Sequence, residues 1–308
     1  MPPPGATCTN GDAVAAALRP DDAAQPRAAS RAPRDVPARG PAPLVIDRVT
    51  VDGITLRYGV RSGSARPALL LFNGIGANLE VVRPLVDAIP DREILIFDVP
   101  GIGGSELDLI PRRLPGLARL ALAFLDTLGY HEPVDVAGVS WGGVLAQQFA
   151  RTAGPRCRRL VLAATSAGAA MVPGKPSVLW KMATPARYLS PDAMKRLAPD
   201  IYGGRIRQRP SLVAQHASRI IVPSLRGYIY QLFAALGWTS VLWLHKLKQP
   251  TLVMAGDDDP IVPVINARIL AGLIPNSRLH IVSKGGHLFM VVRAHEVGRL
   301  VEEFLSEA

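Results

Sequence analysis

Short apolar runs recur along most of the chain, and amphipathic stretches lie between them. Residues 68–73, 93–98, 134–138, 159–163, 252–255 and 279–282 are mostly Val, Ile, Leu, Ala and Phe. Runs of this length without polar alternation have the pattern of strands covered on both faces, as in parallel sheets. Leu117, Leu120, Ala121, Phe124, Leu125 and Leu128 instead recur at helical spacing, as do Val297, Leu300, Val301, Phe304 and Leu305, which predicts helices with one apolar stripe. Residues 44–60 alternate, with Val51-Asp52-Gly53-Ile54 as the turn of an antiparallel hairpin. Strands alternating with helices predict an α/β chain with a mostly parallel, doubly wound sheet. No internal repeat is visible.

Residues 1–43 differ from the rest. They are rich in Pro, Ala and Arg and nearly lack large apolar side chains, so they are expected to stay disordered. Their longest apolar stretch, 13–18, is too short for a secretory signal core. No apolar run approaches the roughly 18 residues that would span a bilayer. The chain has two cysteines, Cys8 and Cys157. With no disulfide framework, a reducing, cytoplasmic setting is expected. Neither zinc-type Cys/His spacing nor a phosphate-cradling glycine motif occurs, so no metal and no cofactor are expected.

Candidate chemistry sits where the apolar runs end. After 134–137 the chain reads Gly138-Val139-Ser140-Trp141-Gly142-Gly143. Gly-x-Ser-x-Gly between a strand and a helix is the shape that lifts a serine hydroxyl above a sheet. Gly138 and Gly142 leave room for the sharp turn, and Trp141 could offer its N–H to a developing oxyanion. The run 252–255 leads into Gly256-Asp257-Asp258-Asp259-Pro260, and 279–282 leads into Ser283-Lys284-Gly285-Gly286-His287. A serine, then an acid, then a histidine, each after a strand, is the chain order of the α/β-hydrolases among serine-triad folds. In the pattern Gly-x-x-Asp-x-x-x-Pro, Gly256, Asp259 and Pro263 match. Asp259 is therefore expected to be the acid, with Asp257 and Asp258 shaping the turn, and His287 is expected to be the base. A second N–H donor is expected after the run 68–73, in Asn73-Gly74-Ile75-Gly76-Ala77-Asn78. Ile75 is the candidate donor, and Asn73 and Gly74 shape the loop. Asn78 has no assigned part in the site.

The net charge is +10, which raises nucleic acid as a partner, but its distribution argues against that. Residues 172–248 hold twelve Lys or Arg against two acids, Asp192 and Asp200. They also hold three of the four tryptophans and four of the six tyrosines. This segment lies between the strand at 159–163 and the strand before Asp259, where α/β-hydrolases carry a helical cap. The expected organisation is a hydrolase core at 44–171 and 249–308 with a basic, aromatic cap at 172–248. Trp180, Tyr202 and Trp238 are candidate substrate contacts, although aromatics there also fit a cap interior. Neutralising Arg205, Arg207 and Arg209 would test whether the basic face docks on a surface.

With these residues in place the chain resembles intracellular medium-chain-length poly(3-hydroxyalkanoate) depolymerases over about Leu44 to Phe304. The resemblance rests on 72–78, on 138–150, and on Met171-Val172-Pro173-Gly174-Lys175-Pro176. It also rests on Ile201-Tyr202-Gly203-Gly204, Gln231-Leu232-Phe233, 236–240, 255–260 and His287-Leu288-Phe289. It implies a serine hydrolase acting on a hydrophobic polyester granule, at the granule surface in the cytoplasm. The residues alone leave open a soluble carboxylesterase or lipase, and a granule- or membrane-surface binding protein. An epoxide hydrolase or haloalkane dehalogenase would carry an aspartate in place of Ser140. The N-terminal extension and an extra residue in 283–286 depart from the family pattern. Oligomeric state, side-chain-length preference and endo or exo cleavage are not encoded in any motif.

Overall fold

A computed structural model describes residues 42–183, 185–188 and 190–307. The extension expected to be disordered lies outside these residues, apart from Ala42 and Pro43. Cys8 lies outside them as well.

The apolar runs are strands of one 8-stranded sheet. They are β1 (Val45–Val51), β2 (Ile54–Arg61), β3 (Ala65–Phe72), β4 (Arg92–Phe97), β5 (Val134–Val139), β6 (Cys157–Ala163), β7 (Thr251–Gly256) and β8 (Ser277–Val282). Several begin earlier than the apolar runs do. Arg278 pairs with Leu252 in the ladder because pairing uses backbone groups, whatever the side chain, while Arg66 and Arg158 lie where the register of their strands shifts. The first hairpin turns on Asp52 and Gly53, at φ 49 and 78, the doubly positive turn whose twist suits a two-residue loop.

The strand order is β1-β2-β4-β3-β5-β6-β7-β8. β1, β2 and β4 pair antiparallel, and the sheet is parallel from β4 through β8. Strand order reverses between β3 and β5. The crevice outside their carboxyl ends is the switch point at which open α/β sheets place ligands.

Period-two alternation divides the core. Leu70, Phe72 and Val136 face one layer, while Leu69, Leu71 and Ala137 face the other. The first layer packs α2 (Leu114–Thr127), α3 (Trp141–Ala153) and α9 (Ile265–Leu273). The second packs α1 (Arg83–Asp87), α10 (Phe289–Val292) and α11 (Ala294–Ser306). The helices expected around 117–128 and 297–305 correspond to α2 and α11.

Among the described residues, five α-helices are inserted between β6 and β7: α4 (Pro176–Met182), α5 (Pro191–Tyr202), α6 (Gly204–Gln208), α7 (Pro210–Ala217) and α8 (Leu225–Ala235). The insertion is pinched at its base. Gly168 bridges Thr239, Ala169 N–H donates to the Trp238 carbonyl and Ser240 N–H to that of Ala167. Residues 240–248 pack with the core layer through Trp243, Leu244 and Leu247. The neck therefore lies at 168 and 239, four residues before and nine residues before the 172 and 248 bounds read from composition, because composition does not register where two chain segments pair.

Candidate active site

Ser140 sits at the junction of β5 and α3 with φ 56 and ψ −119. This backbone conformation is strained for a side-chain-bearing residue. Closely packed neighbours hold it. A Cβ on Gly142 would lie 2.3 Å from the Phe72 carbonyl oxygen, and one on Gly138 would lie 2.3 Å from that of Gly142. Both contacts are with backbone, so only glycine fits. Ser140 N–H donates to the Ala163 carbonyl, and the Ser140 carbonyl accepts from Thr165 Oγ1 at 2.7 Å.

His287 comes from the loop after β8. Its Nε2 lies 2.9 Å from Ser140 Oγ, and its Nδ1 lies 2.7 Å from Asp259 Oδ2. Asp259 Oδ1 accepts the N–H groups of Ile261 and Val262 at 2.9 and 3.0 Å. With that oxygen occupied, Oδ2 is left for the imidazole, which assigns the proton to Nδ1 and leaves Nε2 able to take the serine proton. The structure thus brings Ser140, His287 and Asp259 into one chain of hydrogen bonds, with Asp259 and His287 buried. Asp258 turns the other way, accepting from Gly204 N–H at 2.8 Å and from Arg207 at 2.9 Å. Asp257 is exposed.

Cap and core meet closely at the histidine loop. His287 N–H donates to the Tyr202 carbonyl at 2.7 Å. A Cβ on Gly286 would lie 2.2 Å from that same oxygen. The Tyr202 ring stacks on the imidazole at 6.5 Å and an interplanar angle of 11°. The loop 283–286 is folded by Gly285 N–H donating to the Val282 carbonyl and Asp258 N–H donating to the Gly285 carbonyl.

Trp141 is the first residue of α3, where helical N–H groups have no carbonyl one turn back. Facing it, the loop after β3 passes next to the serine, and a Cβ on Gly74 would lie 3.7 Å from Ser140 Cβ. Ile75 therefore borders the same space. Asn73 folds this loop, its Oδ1 accepting from Gly74 N–H and its Nδ2 donating to the Asn78 carbonyl.

Asn78, left outside the site by the sequence reading, is fully buried and ties the loop to the cap. It donates to the Arg219 carbonyl and accepts from Ile221 N–H. Behind the loop, Asp98 Oδ1 accepts from Leu79 N–H at 2.7 Å, and Arg57 donates to its other oxygen. Burial pushes the Asp98 carboxyl up to about 7, against the opposing pull of Arg57. Asp98, at the end of β4, thus braces the donor loop.

The three cap aromatics have different settings. Tyr202 reaches His287. Trp180 is 81% exposed. Trp238 donates from its indole to Gln148 and meets Trp243 edge-on at the neck, so it braces the cap. Arg187 and Gln231 also reach the site and were missed. Arg187 looks in sequence like one more member of a basic run, yet it is buried with its guanidinium on Tyr202 Oη and Tyr228 Oη. Gln231 lay inside a motif used only for recognition. Among the described residues no three His, Cys, Asp or Glu side chains gather as a metal-binding group. No described helix is long and apolar enough to cross a membrane.

Comparison with known proteins places this geometry. Residues 67–294 match the family described as alpha/beta hydrolase fold. A poly(3-hydroxyalkanoate) depolymerase from Ectopseudomonas oleovorans is 54% identical over 269 residues, covering 87% of this chain and 94% of that one. A 2-hydroxymuconate semialdehyde hydrolase from Pseudomonas putida is 31% identical over 70% of this chain and 78% of its own. The crystal structure of an enol-lactonase from Burkholderia xenovorans LB400 superposes with a TM-score of 0.73 at 25% identity, over 85% of this chain and all of the other. The sheet, the inserted cap and these matches together establish that the chain belongs to the α/β-hydrolase family and is an ester hydrolase similar to a poly(3-hydroxyalkanoate) depolymerase.

Proposed function

We propose that the chain is a serine hydrolase that cleaves the ester bonds of poly(3-hydroxyalkanoate), releasing 3-hydroxyalkanoic acids through an acyl-enzyme. The hydrogen-bonded line from Ser140 Oγ through His287 to Asp259 Oδ2 carries this reading, and the 54% identical depolymerase supports the substrate. Ser140 Oγ attacks the carbonyl carbon as His287 Nε2 takes its proton. The negative charge that develops on the carbonyl oxygen is met by the N–H groups of Trp141 and Ile75. The tetrahedral intermediate collapses, His287 gives its proton to the leaving 3-hydroxyl, and Asp259 stabilises the imidazolium. Water then attacks the acyl-enzyme with His287 as base, freeing the acid and restoring the serine.

A water-insoluble polymer has to be met at a surface, and helix α8 offers one. Leu225, Ile229, Leu232, Phe233 and Leu236 recur at i, i+4, i+7, i+8 and i+11 and are all exposed, while Tyr228, Gln231 and Ala234 face inward. Leu109 and Ile110, on the loop beside α8, are also exposed. The stripe is apolar, with the Arg113 guanidinium lying over the Phe233 ring at 5.0 Å and donating to the Phe233 and Leu236 carbonyls at its C-terminal end, and an exposed apolar stripe suits an aliphatic polyester. It supports action at the granule surface. Of the arginines weighed for this role, Arg207 is paired with Asp258, while Arg205 and Arg209 are exposed.

The test is acid release from emulsified medium-chain and short-chain polymer, with p-nitrophenyl octanoate as a soluble control. Ser140→Ala should lower every activity on the order of 10⁶-fold. Near-wild-type activity in that variant would refute the nucleophile. Turnover of the soluble ester without acid release from polymer would leave a small-ester hydrolase.

A further inference from the structure

Gln231 reaches from α8 to the residue that follows one proposed oxyanion donor, Ile75, and to the side chain of the other, Trp141. Its side-chain Oε1 accepts from Gly76 N–H at 2.7 Å, and its main-chain carbonyl accepts from the Trp141 indole at 2.8 Å. The peptide that contains Gly76 N–H also contains the Ile75 carbonyl, to which Arg187 Nη2 is 3.5 Å distant. Both polar ends of the Ile75–Gly76 peptide are thus held by cap side chains far along the sequence. That peptide needs holding. Gly76 has φ 68, and a peptide beside a glycine in this region can rotate at little steric cost. Such a rotation would change ψ of Ile75, the residue whose N–H is the proposed donor, and loosen the backbone on its C-terminal side. The side chain is buried at 3% exposure, so no water competes freely for the Gly76 N–H. Its neutrality also suits the place. An amide oxygen accepts a hydrogen bond without setting a full negative charge beside a developing oxyanion, and Lys or Arg would have no acceptor to offer.

We propose that Gln231 is a positioning residue that sets the oxyanion hole from the cap, orienting the Ile75–Gly76 peptide and the Trp141 side chain together. The oxyanion hole then takes its working shape only when α8 is seated, which ties cap position to turnover. The inference rests on Ile75 and Trp141 being the oxyanion donors.

The test uses the full chain with p-nitrophenyl octanoate and compares Gln231→Leu and Gln231→Met, which keep the bulk and lose the acceptor. The expected result is a kcat about ten- to a hundredfold lower, less than outright removal of a donor costs, with KM within threefold. Affinity for octaneboronic acid, which forms a tetrahedral adduct on serine, should fall by the same factor as kcat. Affinity for neutral octanamide should hold. A folded variant with kcat and boronate affinity within twofold of wild type would overturn the proposal. So would equal losses for boronate and octanamide, which would reduce Gln231 to cap packing. If neither variant folds, hydrogen exchange at the Gly76 amide of the wild type decides. Protection supports the clamp, and exchange at the rate of an open loop overturns it. Failure of the proposed function reads differently, as ester turnover surviving Ser140→Ala or as polymer left intact.

Discussion

Three consecutive aspartates show how much one position matters. Asp259 spends one oxygen on two backbone N–H groups and the other on His287, and its side chain is buried. Replacing it by Asn keeps the shape but offers the imidazole an amide, which favours the wrong tautomer. Asp259→Asn should lower kcat about 10⁴-fold. Asp258 instead accepts from the cap at Gly204 N–H and pairs with Arg207, both partners being more than two-fifths exposed. An exposed pair of this kind contributes at most about 1 kcal/mol. Asp258→Asn should leave kcat within about threefold, because an amide oxygen can still accept from Gly204. Steady-state kinetics on a soluble ester separates the two. The reverse ranking would move the acid by one residue.

At the scale of elements, α7 carries a histidine that folding keeps neutral. His216 is buried against Tyr202, with Arg187 and Arg219 near, and its Nδ1 has no partner among the described residues. Burial first, then the two arginines, lowers its pKa from 6.5 to about 4. In the unfolded chain the ring takes up a proton near pH 6.5, and in the folded chain only near pH 4. Between those values the unfolded state binds more protons, so stability falls as the pH drops. The loss over that window is about 3 kcal/mol from this group. It should be visible in urea midpoints measured at pH 7, 5.5 and 4.5. His216→Phe should flatten that slope, and a slope unchanged in the variant would show that other groups set it. Since α7 packs on α5, whose Tyr202 ring stacks on His287, the cap should loosen over His287 as His216 becomes charged.

For the whole molecule, the same helix presents an apolar stripe to the outside and Gln231 to the oxyanion loop. Contact with a polymer surface and the geometry of the reacting centre thus meet on α8. Leu225→Ser with Ile229→Ser should weaken retention on emulsified polymer roughly tenfold or more, since each removes apolar burial worth on the order of 1 kcal/mol. Turnover of p-nitrophenyl octanoate should stay near wild type, because both side chains point away from the core. Equal loss of both activities would argue that the stripe packs within the protein and does not meet polymer.

The sequence by itself determined the sheet and the order of the chemical groups. Parallel strands buried on both faces must be apolar, a nucleophile turn with no space for Cβ atoms must be Gly-x-Ser-x-Gly, and both constraints act within a few residues. Gly138, Ser140, Gly142, the acid turn at 256–263 and His287 were legible for that reason. Only the tertiary structure decided which side chains of the insertion, and of the loop after β3, matter. Arg187 reads as one of twelve basic residues, Asn78 as a turn residue, Gln231 as an unremarkable helix position and Trp180 as a substrate contact. The first three are buried against the oxyanion loop or the nucleophile turn, while Trp180 faces solvent. Their roles come from contacts spanning more than a hundred positions along the chain, and no local pattern of residues records which distant segment a side chain will meet.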